Sequence, residues 1–149
     1  MSKSFSLQPL LEIMQNRTDE ATRHLGRLIA AEQNARSRLE MLEQYRSEYA
    51  DRLRENIAQG ITRQALGNYQ DFLARIDEAI SQQSRAVSQS EANTVLGQQH
   101  WREQHTKMKA IDTLSIRHQE RQRKQEDKQE QKLLDEYSTR KFGRPAEDS

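Results

Sequence analysis

The chain has 149 residues, of which 33% are hydrophobic, 32% charged and 5% aromatic. A compact globular domain usually carries close to half apolar residues, so this composition excludes a multilayered core but suffices for the narrow apolar seam of a coiled coil. The net charge of +1 argues against a nucleic-acid-binding surface, and the absence of cysteine excludes disulfides and thiolate metal ligands and suits a reducing cytoplasm.

A heptad pattern predicts a first long helix from about Ser6 to Asn56. Ser6 is a candidate N-cap, and Pro9 is tolerated in the first turn because the early amides lack intrahelical partners. Steps of four and three residues reach mostly apolar positions: Leu7, Leu11, Met14, Thr18, Ala21, Leu25, Leu28, Glu32, Ala35, Leu39, Leu42, Arg46, Tyr49 and Leu53. A repeat of this length predicts a left-handed supercoil.

The pattern breaks between Ile57 and Asn68. This stretch contains Gly60 and Gly67, and glycine is a poor helix former. We therefore expect a turn or broken helical link around Gly60 to Ala65, with Asn68 as a candidate N-cap of the next helix.

The same stepping predicts a second helix that starts near Asn68. Its seam positions are Tyr69, Leu73, Ile76, Ile80, Gln83, Val87, Ser90, Thr94, Gly97, Trp101, Gln104, Met108, Ile111, Ser115 and His118. Both ends of this seam are apolar, whereas its middle is small or polar.

Folding the second helix back on the first completes the seam. With the turn centred near residue 61, Leu28 faces Thr94, Leu25 faces Gly97 and Ala21 faces Trp101. Large residues then face small ones, which fills a seam without voids. The predicted fold is all-α, a long antiparallel two-helix coiled coil.

The C-terminal part has no partner in this hairpin. Residues 117–132 contain no aliphatic, aromatic or alanine side chain, and a small apolar cluster follows at Leu133, Leu134 and Tyr137. We expect an overhanging, partly frayed helix that Gly143 and Pro145 end. The predicted division is a hairpin over residues 1–115, with its turn near 57–67, and a charged extension over 116–149.

The sequence indicates no catalytic chemistry. Its histidines are scattered, and His100 and His105 are five residues apart rather than the four that place two ligands on one helical face. The carboxylates are interleaved with basic and amide residues, as on a solvated helix. We predict no enzyme activity, metal or cofactor, and we find neither a signal peptide nor an apolar run long enough for a membrane span.

Aromatic residues gather near the predicted turn. Tyr49 and Tyr69 occupy seam positions and are explained by packing. Tyr45 and Phe72 lie off the seam, so we expect exposed rings that bind a partner. Trp101, opposite Ala21, is interpreted as an anchor of the seam, with partner binding as the alternative.

A basic cluster follows the hairpin and consists of Arg117, Arg121, Arg123 and Lys124. Neighbouring acidic residues allow a simple solvated face. Contact with an acidic protein surface and contact with nucleic acid remain as alternatives, the second without aromatic side chains nearby for base stacking.

Several segments resemble the FliJ family of bacterial flagellar export proteins, in order and at the expected spacing over positions 5 to 115. The matching segments are Phe5-Ser-Leu7-Gln-Pro-Leu10-Leu11, Met41-Leu42-Glu-Gln-Tyr45-Arg-Ser-Glu-Tyr49, Gly60-Ile61, Asn68-Tyr69-Gln70-Asp71-Phe72 and His100-Trp101-Arg102-Glu103. The C-terminal tail is similar only in composition.

This resemblance implies a non-enzymatic stalk that sits in the hexameric flagellar export ATPase and connects it to the membrane export gate. It also implies binding of export chaperones and a cytoplasmic location at the inner membrane of the flagellar base. The implied gate-binding residues are Arg38, Leu42, Tyr45, Tyr49, Phe72, Ile76, Ala79 and Gln83. The hairpin's terminal end would enter the ATPase ring, with the basic cluster as the candidate contact.

Two other functions fit the same architecture. One is the stalk of a virulence-type injection system, although the aromatic turn motifs favour the flagellar branch. The other is a dimeric coiled coil that binds nucleic acid through its basic cluster.

Overall fold

The computed structural model describes residues 6–142, and this range forms two long helices and no strand. Helix α1 spans Gln8–Gln59 and helix α2 spans Arg63–Phe142. The two helices pack against each other, which confirms the predicted all-α hairpin. Phe5, Gly143 and Pro145, which entered the sequence interpretation, lie outside the described residues.

Local interactions define the start and the end of helix α1. The Ser6 hydroxyl accepts a hydrogen bond from the Gln8 amide at 3.2 Å, as expected of an N-cap. Gly60 follows α1 with a φ of 100°, a left-handed conformation that glycine adopts without a Cβ penalty. Only residues 60–62 lie between the helices.

The predicted start of the second helix near Asn68 was wrong. Helix α2 begins at Arg63, and the Thr62 hydroxyl caps it by accepting a hydrogen bond from the Ala65 amide at 3.1 Å. Ala65 and Leu66 are half-buried. This packing and the cap outweigh the helix penalty of Gly67, which is about 1 kcal/mol.

Contacts divide the chain into two compact units, and the larger contains Thr18–Gln104. The seam positions predicted for this unit are all buried or half-buried. Antiparallel pairing follows from contacts such as those of Asn56 with Tyr69 and of Thr22 with Trp101.

Two contacts across the seam agree with the predicted pairing of Leu28 with Thr94 and of Leu25 with Gly97. The Thr94 hydroxyl lies 3.4 Å from the Leu28 carbonyl oxygen, and a Cβ on Gly97 would lie 3.4 Å from Leu25. The Gln83 amide donates to the Ala35 carbonyl oxygen at 3.0 Å. Such bonds satisfy polar groups inside the seam, which would otherwise destabilise it.

The smaller unit combines the segment of α1 that ends at Arg17 with the segment of α2 that begins at His105. Leu11 and Ser115 are its buried seam residues. Beyond Gln122, every side chain as far as Lys141 is exposed. Helix α2 nevertheless continues to Phe142, with Arg140 and Lys141 in its last turn, where positive charge favours the helix dipole.

Partial fraying of α2 beyond Gln122 and the end of the hairpin at residue 115 remain predictions.

Over their described lengths, neither helix contains an 18-residue stretch apolar enough to cross a bilayer.

Candidate partner-binding surfaces

Four rings from both helices form an aromatic cluster in the larger unit: Tyr45, Tyr49, Tyr69 and Phe72. Tyr49 is central, with its ring centroid 4.5 Å from that of Phe72 and 5.0 Å from that of Tyr69. Tyr45 lies at the edge, 6.5 Å from Tyr49 and 6.3 Å from Phe72. These separations fall in the range in which aromatic pairs attract each other.

Exposure differs within the aromatic cluster. Tyr49 and Tyr69 are half-buried, in agreement with their seam positions, and the Tyr69 oxygen accepts a hydrogen bond from Asn56. Tyr45 is 50% exposed, as predicted. The prediction of an exposed ring was wrong for Phe72, which is half-buried because the Tyr49 ring packs against it.

The other candidate gate-binding residues differ in what they can offer a partner. Arg38 is exposed, and Leu42 and Ala79 are half-buried. Ile76 is only 6% exposed, so little of its surface is left for a partner. Gln83 uses its amide within the seam, where it binds the Ala35 carbonyl oxygen. A contact role for these residues stays a prediction.

Met41 is an exposed apolar residue near the aromatic cluster and is not among the predicted partner-binding residues. It lies one turn before Tyr45 on α1 and is 69% exposed. The spacing of four residues to an off-seam tyrosine was a usable signal, because such residues share one helical face.

A shallow groove opens on the larger unit beside Gly97. It is lined by His24, Leu28, Asn93, Leu96, Gly97 and His100. A Cβ on Gly97 would lie 2.6 Å from Leu28 Cδ1, so glycine allows the close approach of the two helices here. The heptad spacing predicts the pairing of Gly97 with Leu25 but not the groove, because that spacing does not show how closely the residues flanking the seam approach one another.

Within residues 6–142, no group of three or more histidine, cysteine, aspartate or glutamate side chains is placed to hold a metal ion.

Trp101 contributes to the seam, in agreement with its interpretation as a seam anchor. Its indole nitrogen donates a hydrogen bond to the Thr22 hydroxyl at 2.8 Å, and its ring is half-buried. A buried tryptophan needs such a partner for its N–H group.

Two ion pairs join the helices of the larger unit. Arg36 contacts Glu91 at 2.6 Å, and Arg46 binds both carboxylate oxygens of Asp77. The hydrogen bond from Arg46 lowers the pKa of Asp77, and the same contact raises the pKa of Arg46. Both pairs are exposed to solvent, so salt screens them.

The structure places the four residues of the basic cluster on two different sides of helix α2. All four side chains are exposed. The helical period places Arg117, Arg121 and Lys124 on one stripe of α2 and Arg123 on another side, where it lines a shallow depression with Ile116 and Glu120.

The smaller unit also exposes an apolar group near the end of α2. Leu133, Leu134 and Tyr137 are all exposed, and the Lys141 ammonium lies 5.6 Å from the centroid of the Tyr137 ring. This geometry permits a weak cation–π contact.

A family profile and individual known proteins both match this chain, and they point to the same family. The sequence profile of a family described as "Flagellar FliJ protein" matches residues 2–147. The flagellar FliJ proteins of Salmonella typhi and of Escherichia coli (strain K12) are each 29% identical to the chain over 140 residues, covering 94% of the chain and 95% of each relative. The profile match extends through the C-terminal segment, where the sequence motifs had shown only similar composition.

Proposed function

Because the chain belongs to the flagellar FliJ protein family, we propose that it is a non-enzymatic stalk and adaptor of the bacterial flagellar protein export apparatus. In this role it links the hexameric export ATPase to the linker of the membrane export gate and handles export chaperones. Its place is the cytoplasmic face of the inner membrane at the flagellar base, where its partners hold it.

The half-exposed ring of Tyr45 is the observation that carries gate binding. A ring at the edge of a packed cluster offers apolar area on a rigid support, and aromatic residues of this kind dominate interface hot spots. Tyr49 and Phe72 hold Tyr45 in place, since both rings lie within 6.5 Å of it. Met41 adds a flexible apolar side chain beside it.

The remaining gate residues support this surface in different ways. Arg38 supplies an exposed charge, whereas Ile76 and Gln83 act from inside the seam by fixing the helices that carry the rings. Leu42 and Ala79, both half-buried, add apolar area next to the aromatic cluster.

The ATPase contact is assigned to the exposed stripe of Arg117, Arg121 and Lys124, with Arg123 on the adjacent side. Three cations at helical spacing suit an acidic protein surface, where they speed association and orient the partner.

Deletion of the gene tests the function. We expect the deletion strain to lose most of its swimming in soft agar and the intact gene to restore it. Normal swimming after deletion contradicts the proposal.

A pair of substitutions tests the gate-binding surface. Tyr45→Ala with Phe72→Ala should weaken binding of the purified chain to the gate linker by about tenfold or more while helicity stays near that of the original chain. Ile29→Ala with Ile57→Ala is the matched control, because both isoleucines are exposed and lie on the other side of the seam. If the tyrosine–phenylalanine pair unfolds the chain, the rings serve packing and the assignment is wrong.

A further inference from the structure

We propose that the exposed end of helix α2 binds the same segment of a second copy of this chain, with the two helices antiparallel. The surface is one side of α2, which we call the C-terminal stripe. It consists of Glu126, Glu130, Leu133, Leu134, Tyr137, Arg140 and Lys141. The proposed function involves other partners and other residues, so the dimer and that function stand or fall separately.

The apolar residues of the C-terminal stripe do not continue the seam. Steps of four and three residues beyond His118 reach only polar side chains: Gln122, Gln125, Gln129, Lys132, Glu136 and Thr139. Leu133, Leu134 and Tyr137 lie off this row, on a different side of the helix. They are 58–65% exposed, so three large apolar side chains meet solvent together on an otherwise polar segment. Such a group on an exposed helix is typical of a binding surface.

The charge changes sign along the C-terminal stripe. Glu126 and Glu130 precede Tyr137 by eleven and seven residues, which are close to whole numbers of helical turns. Arg140 and Lys141 follow Tyr137 by three and four residues, and the Lys141 ammonium lies 5.6 Å from the centroid of the Tyr137 ring. The stripe is therefore acidic before its apolar group and basic after it.

A second copy placed antiparallel matches both the apolar group and the charges. With the two helices centred on Asp135, Leu133 lies level with Tyr137 of the second copy, and Glu130 lies level with Arg140 of the second copy. A two-fold axis repeats each of these contacts. A parallel pair in register would instead bring Glu130 to Glu130 and Arg140 to Arg140, and like charges oppose association.

Other charges near the C-terminal stripe do not oppose the antiparallel pairing. Asp127, at one margin, adds to the acidic half. Glu136, at the other margin, precedes Arg140 of its own helix by four residues, a favourable spacing. Arg123 shares the side of the stripe, but at 1.5 Å per residue it lies about 9 Å beyond Gln129, the residue level with Lys141 of the second copy.

The two faces of this segment differ in how their polar groups are used. Among the described residues, neither Glu130 nor Arg140 takes part in an ion pair. On the opposite face, the Asp135 carboxylate accepts a hydrogen bond from Gln131 at 3.3 Å, and its carbonyl oxygen accepts one from Thr139 at 2.9 Å. The charges of the stripe are thus left for contact with another molecule.

A membrane is a poorer occupant than a second copy. Anionic lipid headgroups attract the basic half of the stripe but repel Glu126 and Glu130, which lie on the same side of the helix. The antiparallel copy satisfies both halves at once.

The size of the surface predicts a weak dimer. Three large apolar side chains from each copy bury less than the about 1,600 Å² of a standard stable interface. The dimer should therefore form at high concentration and dissociate on dilution.

Sedimentation equilibrium of the full chain over a wide range of micromolar concentrations measures this association. Leu133→Gln with Tyr137→Gln should weaken the dimer at least about tenfold, since both apolar contacts are lost twice over. Lys128→Gln with Asp135→Gln is the matched control, because it changes exposed residues on the opposite face and keeps the net charge, and it should stay within about twofold. Glutamine is a good helix former, so circular dichroism should show nearly unchanged helicity for both pairs.

A charge exchange tests the antiparallel arrangement. Glu130→Arg alone and Arg140→Glu alone each place like charges opposite each other and should weaken the dimer at least about fivefold. An equal mixture of these two variants, and a chain that carries both substitutions, should associate within about threefold of the original chain. Glu130 and Arg140 are about 15 Å apart along one helix, so such a rescue arises only between two chains.

The contrary outcomes are distinct. A chain that stays monomeric at every concentration overturns the proposal, and so does a dimer that survives the Leu133–Tyr137 pair of substitutions. Single charge variants that associate as well as the original chain refute the antiparallel pairing. A monomer that sediments with anionic lipid vesicles, and loses this binding in the Leu133–Tyr137 pair, identifies a membrane as the occupant instead.

Discussion

The seam near the turn and the middle of the seam follow the same heptad spacing but carry different side chains. Aromatic rings dominate near the turn, and small or polar residues dominate in the middle. Near the turn, Tyr49 packs against Phe72 and Tyr69, and Tyr45 remains half outside. In the middle, Ala21, Thr94 and Gly97 are buried, and leucines of α1 fill the space beside them. Periodicity therefore decides where two helices meet, whereas residue size decides whether side chains extend beyond the seam or a groove is left beside it.

The largest effect that tests this comparison is expected at Tyr49, the central ring of the aromatic cluster. Tyr49→Ala removes the ring that contacts the other three, and we expect a loss of about 3 kcal/mol of unfolding free energy in urea titrations followed by circular dichroism. Tyr45→Ala, at the exposed edge, should lose less than about 1 kcal/mol. Equal losses for the two variants mean that the aromatic cluster is one packed core with no free edge.

In the middle of the seam, stability should be sensitive to added side-chain volume rather than to lost side-chain volume. Gly97→Leu forces Leu28 and Leu25 away and should destabilise by about 2 kcal/mol. Gly26→Ala is the control, because a Cβ there meets nothing within 4 Å and should stabilise the helix by up to about 1 kcal/mol. Thermal melts of both variants check this, and a neutral Gly97→Leu indicates that the helices are not in close contact at this point.

The smallest effect belongs to the ion pair between Arg46 and Asp77. Its hydrogen bond lowers the pKa of Asp77 in the folded chain, so its contribution is present above the unfolded pKa of about 3.9 and is lost as the pH falls further. Asp77→Asn should lower the melting temperature by about 2 °C or less at pH 7 and low salt. The difference from the original chain should shrink as the pH falls through the lowered pKa of Asp77, and it should vanish in 1 M salt. A difference that persists under both conditions points to packing instead of charge.

The hairpin could be predicted from sequence because its signal is repeated many times. Each seam position from Leu7 to His118 carries the same spacing, and pairing Leu28 with Thr94 needed only the location of the turn. The start of α2 could not be placed as well. Two glycines dominate the local sequence there, whereas a single Thr62 cap and the packing of Leu66 decide the outcome.

The candidate surfaces were predictable only in part. Tyr45 stood out because it leaves the heptad, but the partial burial of Phe72 depends on where the Tyr49 ring lies across the helix pair. The groove depends on the missing Cβ of Gly97 together with its neighbours on α1. Such features are set by three-dimensional contact between residues distant in sequence.

The exposed stretch of α2 from Arg123 to Lys141 should respond to warming differently from the packed seam. No side chain there is buried, so its helix depends on local propensity, which decays on warming well before a packed seam opens. Its amides should exchange with deuterated solvent orders of magnitude faster than those around the buried Val87. A partner that immobilises this stretch would then leave its mark as slowed exchange, even where no new tertiary fold forms.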